Sequence, residues 1–164
     1  MSLGLPQPIK PDHDLAAFAC GHASLDYWLK RRALRNQASG GSRTYVVCEG
    51  SKVLAYYCLT TGAVEARTAP GRVRRNMPDP IPIMVLGRLV VDASLHGKGL
   101  GTGLLKDAIL RTLKAAQIAG IRALLVHALD DQAAAFYRNH GFADSLIDPH
   151  VLMLPLETAG RAVL

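Results

Sequence analysis

Residues 85–103, VLGRLVVDASLHGKGLGTG, run an apolar strand into a glycine-rich turn and then into a helix. Nothing else in the chain limits the fold as much. Gly97, Gly99 and Gly101 have no Cβ, so the backbone can turn there with its N–H groups converging on one point, a nest that binds anions. The following helix adds the positive end of its dipole and its first amide groups, and Lys98 adds mobile positive charge. GxGxxG is absent, and a P-loop needs Lys-Ser or Lys-Thr after its last glycine, so dinucleotides and nucleoside triphosphates fit poorly. Two readings remain for the loop: a cradle for a pyrophosphate-bearing cofactor, or a strand–helix turn that binds nothing. Its context decides between them.

Residues 83–91 are apolar apart from Arg88, the pattern of a central strand covered on both faces. An arginine in such a strand needs a carboxylate partner or a solvated cleft. Leu105, Ala108, Ile109, Thr112 and Ala116 then share one helical face, ending near Gly120, and residues 121–127 form another apolar strand. Strand, helix and strand of these lengths make a right-handed βαβ unit with parallel strands, its loop at the carboxyl end of the first. Asp130 is placed to cap a helix over residues 133–139, and Gly141 to end it in the left-handed conformation. Tyr137 therefore lies on a short helix just after the second parallel strand. Residues 142–156 return as a mostly apolar strand pair interrupted by Asp148-Pro149.

Residues 14–37 read as two helices broken at Gly21. In the second, Leu25, Leu29 and Ala33 form the apolar face, Lys30, Arg31 and Arg35 project away from it, and Trp28 and Arg32 lie nearer its flanks. A basic face of this kind is either solvated surface or a contact for RNA or another acidic partner. Residues 44–49 and 53–61 are rich in Val, Tyr and Thr around Gly50-Ser51-Lys52, and predict an antiparallel pair. Residues 65–82 hold Arg67, Arg72, Arg74 and Arg75 among Pro70, Pro78, Pro80 and Pro82. They cannot continue a sheet interior, and predict an ordered loop whose arginines either read phosphates or keep the loop soluble.

Length and composition, 164 residues with 49% hydrophobic and 20% charged, predict one globular domain over 1–164, without repeats or linkers. A net charge of +6 attracts polyanions, whether nucleic acid or an anionic cofactor. Cys20, Cys48 and Cys58 are odd in number and lack CxxC spacing, which argues against a disulfide framework or a zinc site; no metal is expected. A reducing cytoplasm is the simplest setting. The N-terminus has no basic segment followed by a long apolar run, and no window reaches membrane-spanning length.

The strand VLGRLVVD, the loop HGKGLG and the later AAAFYRNHGF resemble the GNAT superfamily of acetyl-CoA-dependent N-acetyltransferases. Their loop reads Gln or Arg, two residues, Gly, one residue, Gly or Ala; His96 stands here at the Gln/Arg position. FACGHASLDYWLKRRALRNQ, SRTYVV, RRNMPDPIP and LLVHALDDQAAAFYRNHGF extend the resemblance, over most of the chain, to the TacT-type acetyltransferase toxins of toxin-antitoxin modules. The resemblance implies an α/β (α+β) single-domain fold, a mixed central sheet with a splayed parallel strand pair flanked by helices. It implies acetyl-CoA as cofactor, aminoacyl-tRNA as acceptor with arrest of translation, a ribbon-helix-helix antitoxin, and a homodimer to which the apolar C-terminal strands are candidates to contribute.

The same resemblance puts Tyr137 at the family's catalytic tyrosine. Backbone groups of Leu89, Val90 and Val91 would pair with the pantetheine arm, and His96, Gly97, Lys98, Gly99, Leu100, Gly101 and Thr102 would hold the pyrophosphate. Lys30, Arg31, Arg35, Arg72, Arg74, Arg75 and Arg88 are the candidate tRNA contacts. The transfer needs a neutral amine, donors for the tetrahedral oxyanion and a proton for the leaving thiolate. A phenol of pKa about 10 is a competent donor to a thiolate whose conjugate acid lies near 8.5. The α-amino group of an aminoacyl ester is less basic than an alkyl amine, so no dedicated base is required. His127 is expected in the core, His96 and His140 are weaker candidates for a base, and no Ser-His-Asp ordering supports a hydrolase. Two rivals stay open: an ordinary acetyltransferase acting on a small amine or a protein N-terminus, and a catalytically idle nucleic-acid-binding module.

Overall fold

A computed structural model describes residues 2–163; Met1 and Leu164 lie outside it. The strands are β1 (Gln7–Pro8), β2 (Arg43–Glu49), β3 (Lys52–Val64), β4 (Ile81–Val91), β5 (Ala123–His127), β6 (Ala143–Asp144) and β7 (Val151–Pro155). The helices are α1 (Ala23–Arg31), α2 (Ala33–Ser39), α3 (Gly71–Arg74), α4 (Leu100–Ala115), α5 (Asp131–Asn139) and α6 (Leu156–Val163). The sheet runs β1-β2-β3-β4-β5-β7-β6. It is mixed: β4 and β5 are parallel, from Ile83 opposite Ala123 to Leu86 opposite Val126, whereas β5–β7 and β6–β7 are antiparallel. The parallel βαβ unit of the sequence is thus present. β4 continues from Leu86, its last residue paired with β5, through Gly87 to Val91.

The chain forms two compact units, one of residues up to Thr60 with Gly87–Ala108, the other of Thr61–Leu86 with the residues from Ile109 onward. In the first, Phe18, Leu29, Ala33, Val46, Tyr56 and Val90 are buried together. Tyr56 is the centre of that core: its ring stacks on Trp28 at 5.9 Å and meets Phe18 edge-on at 5.6 Å. Its hydroxyl donates to the Leu25 carbonyl at 2.7 Å, which ties α1 to β3. The Leu25, Leu29, Ala33 face turns inward as the periodicity predicts, and Lys30, Arg31 and Arg35 are exposed.

Residues 14–20 are not helical. The Asp14 N–H donates to the Ser51 carbonyl at 2.7 Å and its carbonyl accepts from Val53 at 3.0 Å, a parallel bridge opposite Lys52. Backbone groups committed to a strand cannot also make the i to i−4 ladder, so buried Phe18 and Cys20 anchor an irregular segment instead of forming a helical stripe. Gly21, at φ 100°, precedes α1 as predicted, but Arg32 makes a second break, between α1 and α2.

In the second unit the core comprises Ala69, Val73, Ile81, Ile83, Leu125 and Met153 among others. The stretch 65–82 is more regular than a loop. A 3-10 turn spans Ala66–Thr68, and α3 follows Pro70, whose missing N–H costs nothing before a first turn. β7 is hydrogen-bonded to β5 on one edge and to β6 on the other, and all five of its residues are buried. It is therefore interior to the sheet, and β6 is the edge strand. His127 is exposed, contrary to the expectation of a core histidine, because it is the last residue of β5, where the strand leaves the sheet.

Candidate active site

The turn after β4 is held before it reaches the glycines. The Asp92 carboxylate accepts from the Ser94 N–H at 3.0 Å, the Ser94 hydroxyl at 2.7 Å and the Ala19 N–H at 3.0 Å. Its own N–H donates to the Leu54 carbonyl at 2.8 Å. Burial alone would raise the Asp92 pKa; these hydrogen bonds, with the positive charge of Lys52, outweigh it and hold the carboxyl below its ordinary value. Asp92 is missing from the sequence-predicted site, although Asp two residues before an N–H donor at a strand end is the signature of an Asx turn.

Gly97 and Gly99 take the left-handed conformation, at φ 76° and 78°. A Cβ at either would meet nothing within 4 Å, so conformation and not crowding demands glycine, and the space over the loop is open. Gly101 already belongs to the first turn of the 16-residue α4, whose amino end faces the loop. Two left-handed glycines, open space and a helix N-terminus fit a pyrophosphate. His96 does not extend from the loop as a free side chain. Its Nε2 lies 2.8 Å from the Val91 carbonyl, which folds the ring back on the end of β4. Lys98 is exposed, Val90 is buried in the core, and Leu89 and Val91 are half-buried.

Arg88 has an aromatic partner. Its guanidinium sits 4.2 Å from the centre of the Trp28 ring, a cation–π contact that gives a half-buried charge its partner. It also neighbours the Cys58 thiol, which burial pushes up in pKa and Arg88 partly brings back down. Gly87, beside it, is closely packed: a Cβ there would come 2.9 Å from the Cys58 sulfur.

Helix α5 is built as predicted. Asp130 accepts from the Ala133 N–H at 2.8 Å, and the helix closes with the Phe142 N–H on the Tyr137 carbonyl at 3.1 Å and Gly141 at φ 94°. Tyr137 is buried, its ring edge-on to Phe136 at 5.2 Å and to Phe142 at 5.3 Å. Burial pushes its phenol up to about 12, so it is a weaker acid than the ordinary value near 10 used above, and it stays protonated throughout the neutral range.

Arg72, Arg74 and Arg75 are exposed on and just after α3, and Arg74 also donates to the Ala69 carbonyl at 3.2 Å. Arg122 went unnoticed in the sequence because it sits alone at the start of an apolar strand; its guanidinium reaches the carbonyls of this basic segment. Cys20, Cys48 and Cys58 are free and buried. Among the described residues no cluster of His, Cys, Asp and Glu is arranged to hold a metal ion, and no helix is long and apolar enough to cross a membrane.

A mixed sheet with a parallel βαβ unit, ending its first strand in a left-handed glycine turn at a helix N-terminus, is a frame suited to a phosphate-bearing ligand. Residues 40–144 match the acetyltransferase (GNAT) domain. The chain is 49% identical, over 94% of its length and 93% of the relative's, to a tRNA-acetylating toxin of Mycobacterium tuberculosis. Its fold matches that of AtaT complexed with acetyl-methionyl-tRNAfMet at a TM-score of 0.92, with 28% identity and coverage of 99% of this chain and 100% of the other. A tyrosine-to-phenylalanine mutant of AtaT, bound to the C-terminus of the antitoxin AtaR and acetyl-CoA, matches at 0.83, with 29% identity and 98% and 97% coverage. The chain belongs to the GNAT acetyltransferase family and, within it, groups with the acetyltransferase toxins.

Proposed function

We propose that the protein transfers the acetyl group of acetyl-CoA to the α-amino group of aminoacyl-tRNA and so arrests translation, as the toxin of a module with a ribbon-helix-helix antitoxin. The observation that carries this reading is the near-full-length 49% identity to a tRNA-acetylating toxin. The open glycine nest and the exposed basic groups support it. The whole chain acts as one acetyltransferase domain, as a homodimer, in the cytoplasm where charged tRNA is found.

When bound, acetyl-CoA supplies the acetyl group as an activated thioester. Gly97, Lys98, Gly99, Leu100, Gly101 and Thr102 bind its pyrophosphate, with His96 bracing the loop against Val91. The backbone of Leu89, Val90 and Val91 orients the arm. Tyr137 holds a proton at its hydroxyl for the departing sulfur. Complete transfer from a phenol near 12 to a thiolate whose acid lies near 8.5 is uphill by roughly 5 kcal/mol, so Tyr137 must hand its proton on while taking one from the attacking nitrogen. The phenol then never carries a full charge in its buried site. Lys30, Arg31, Arg35, Arg72, Arg74 and Arg75 follow the tRNA phosphates without reading sequence, and Arg88 adds its charge from its seat on Trp28.

The deciding experiment incubates the protein with acetyl-CoA and a pool of aminoacylated tRNAs and looks for N-acetylated amino acids by mass spectrometry. Acetylated product from wild type, reduced on the order of a hundredfold or more in Tyr137→Phe, is expected. No acetylated amino acid on any tRNA overturns the reading. CoA release on small amines alone favours the ordinary acetyltransferase, and undiminished toxicity of Tyr137→Phe in cells favours the idle binding module.

A further inference from the structure

We infer that Arg122 is the positioning residue for the basic segment carrying Arg72, Arg74 and Arg75, holding it in the form that meets the acceptor's phosphates. This rests on the tRNA reading above. The Arg122 Nε donates to the Val73 carbonyl at 2.9 Å, and its Nη2 donates to the Arg72 carbonyl at 2.9 Å and the Arg75 carbonyl at 3.4 Å. Its backbone is fixed as well: its N–H donates to the Pro82 carbonyl at 2.9 Å, and its carbonyl accepts from Leu156 at 3.1 Å. The fork therefore projects from a rigid point at the entry to β5.

The segment it grips cannot hold its own shape. α3 is a four-residue helix, far below the length at which helices persist unaided, and the carbonyls at its C-terminal end have no intrahelical donors. Arg122 satisfies them as a cation at a helix C-terminus, where positive charge is favourable. Buried Val73 pins the inner face, while Arg72, Arg74 and Arg75 stay exposed. A neutral donor would have capped the turn without adding charge. The use of a guanidinium puts one more cation among arginines that already repel each other, an arrangement that suits a surface meant to meet a polyanion. Only the planar fork reaches several carbonyls at once; a lysine keeps the charge and loses the geometry.

Steady-state kinetics on the full chain test this, varying aminoacyl-tRNA and acetyl-CoA separately for wild type, Arg122→Lys, Arg122→Gln and the pair Arg72→Gln/Arg75→Gln. Arg122→Lys is expected to raise KM for aminoacyl-tRNA about fivefold or more and to flatten its salt dependence by about one unit of slope per lost phosphate contact. The KM for acetyl-CoA and kcat should stay within about twofold, as for a residue away from the chemistry. Gly71 has open space for a Cβ, so adding Gly71→Ala to Arg122→Lys stiffens α3 and restores part of the loss, and this double variant is the test if Arg122→Lys alone is poorly folded. Wild-type behaviour of Arg122→Lys, or an equal rise in both KM values with a lowered Tm and no recovery by Gly71→Ala, overturns the inference. If Arg72→Gln/Arg75→Gln leaves the KM for aminoacyl-tRNA unchanged, the RNA reading of the segment falls and takes the inference with it. If that pair raises KM while Arg122→Lys does not, the inference alone falls.

Discussion

The sharpest mutational consequence of this structure lies at Gly87, where β4 passes the Cys58 side chain of β3. A Cβ at residue 87 would stand 2.9 Å from the Cys58 sulfur and 3.9 Å from the Cys58 carbonyl oxygen. Carbon–sulfur contacts that short do not persist, so either the thiol turns or the strands part. Cys58 is 3% exposed, which leaves the sulfur little room to turn. Overpacking of this kind costs about 1–3 kcal/mol, and the entropy gained by removing a strand glycine offsets about 0.5–1 kcal/mol of it. A net loss of about 1–2 kcal/mol is expected for Gly87→Ala, a fall in Tm of roughly 2–8 °C for a chain of this size. Because Leu89, Val90 and Val91 follow on the same strand, KM for acetyl-CoA should rise too. Cys58→Ala removes the obstructing sulfur, so in the double variant Gly87→Ala should cost almost nothing. Thermal unfolding of the four proteins in the cycle gives the coupling directly. An unchanged Tm in Gly87→Ala, or strictly additive losses in the double variant, would refute the steric argument.

Gly99→Ala meets no atom but forces φ 78° on an L-residue, and is expected to raise KM for acetyl-CoA by about tenfold; Gly103→Ala, equally open but helical, should leave it unchanged, as an acetyl-CoA titration of both variants will tell. The Asp92 carboxyl is held below its ordinary pKa in the fold, so the stability it contributes is present above the unfolded carboxylate range and lost as pH falls through the folded value. Denaturant midpoints for wild type and Asp92→Asn should therefore differ at neutral pH and converge on acidification. The Tyr137 phenol, raised to about 12, should leave no descending limb near pH 10 in a pH–kcat profile; a fall there would return the phenol to its ordinary value. The same shift lends stability below the unfolded value near 10, and that stability is lost as pH rises toward 12.

What could be read from the chain was what local chemistry decides. Asp130 caps, Gly141 and Gly97 turn left-handed, and the apolar runs around α4 pair in parallel, because each depends on a few neighbouring residues. Failures came where distant backbone decided. The helix expected between residue 14 and Gly21 lost to hydrogen bonds from Asp14 to the turn at residues 51–53, which no local pattern announces. Arg88 found its partner on Trp28, sixty positions earlier, and Arg122 found three carbonyls around α3. His127 reads as core by its apolar neighbours and is exposed by its place at a strand end. The left-handed glycine turn at the start of α4 was legible, but the contact of His96 with the Val91 carbonyl was not, since it depends on how tightly the intervening turn closes.

The protonation state of Tyr137 also bears on which amines can react. A group that stays protonated to about pH 12 cannot strip a proton from an ammonium ion at neutral pH. On the proposed reading, the enzyme therefore takes only amines that are already neutral. An α-amino group with pKa about 7.7 is neutral roughly 400 times more often at pH 7 than a lysine side chain at about 10.4, and the ester linkage to tRNA lowers the α-amino value further. On that reading, much of the preference for an α-amine over protein lysines needs no pocket; it follows from the protonation of the amines themselves. Competition between an aminoacyl ester and a lysine-containing peptide, followed from pH 7 to pH 10, isolates this effect. The ratio of their acetylation rates should fall by about tenfold for each pH unit once the α-amine is fully neutral and the lysine is not. A ratio independent of pH would mean that a residue of the protein deprotonates the acceptor, and exposed His127 would then be the first to replace.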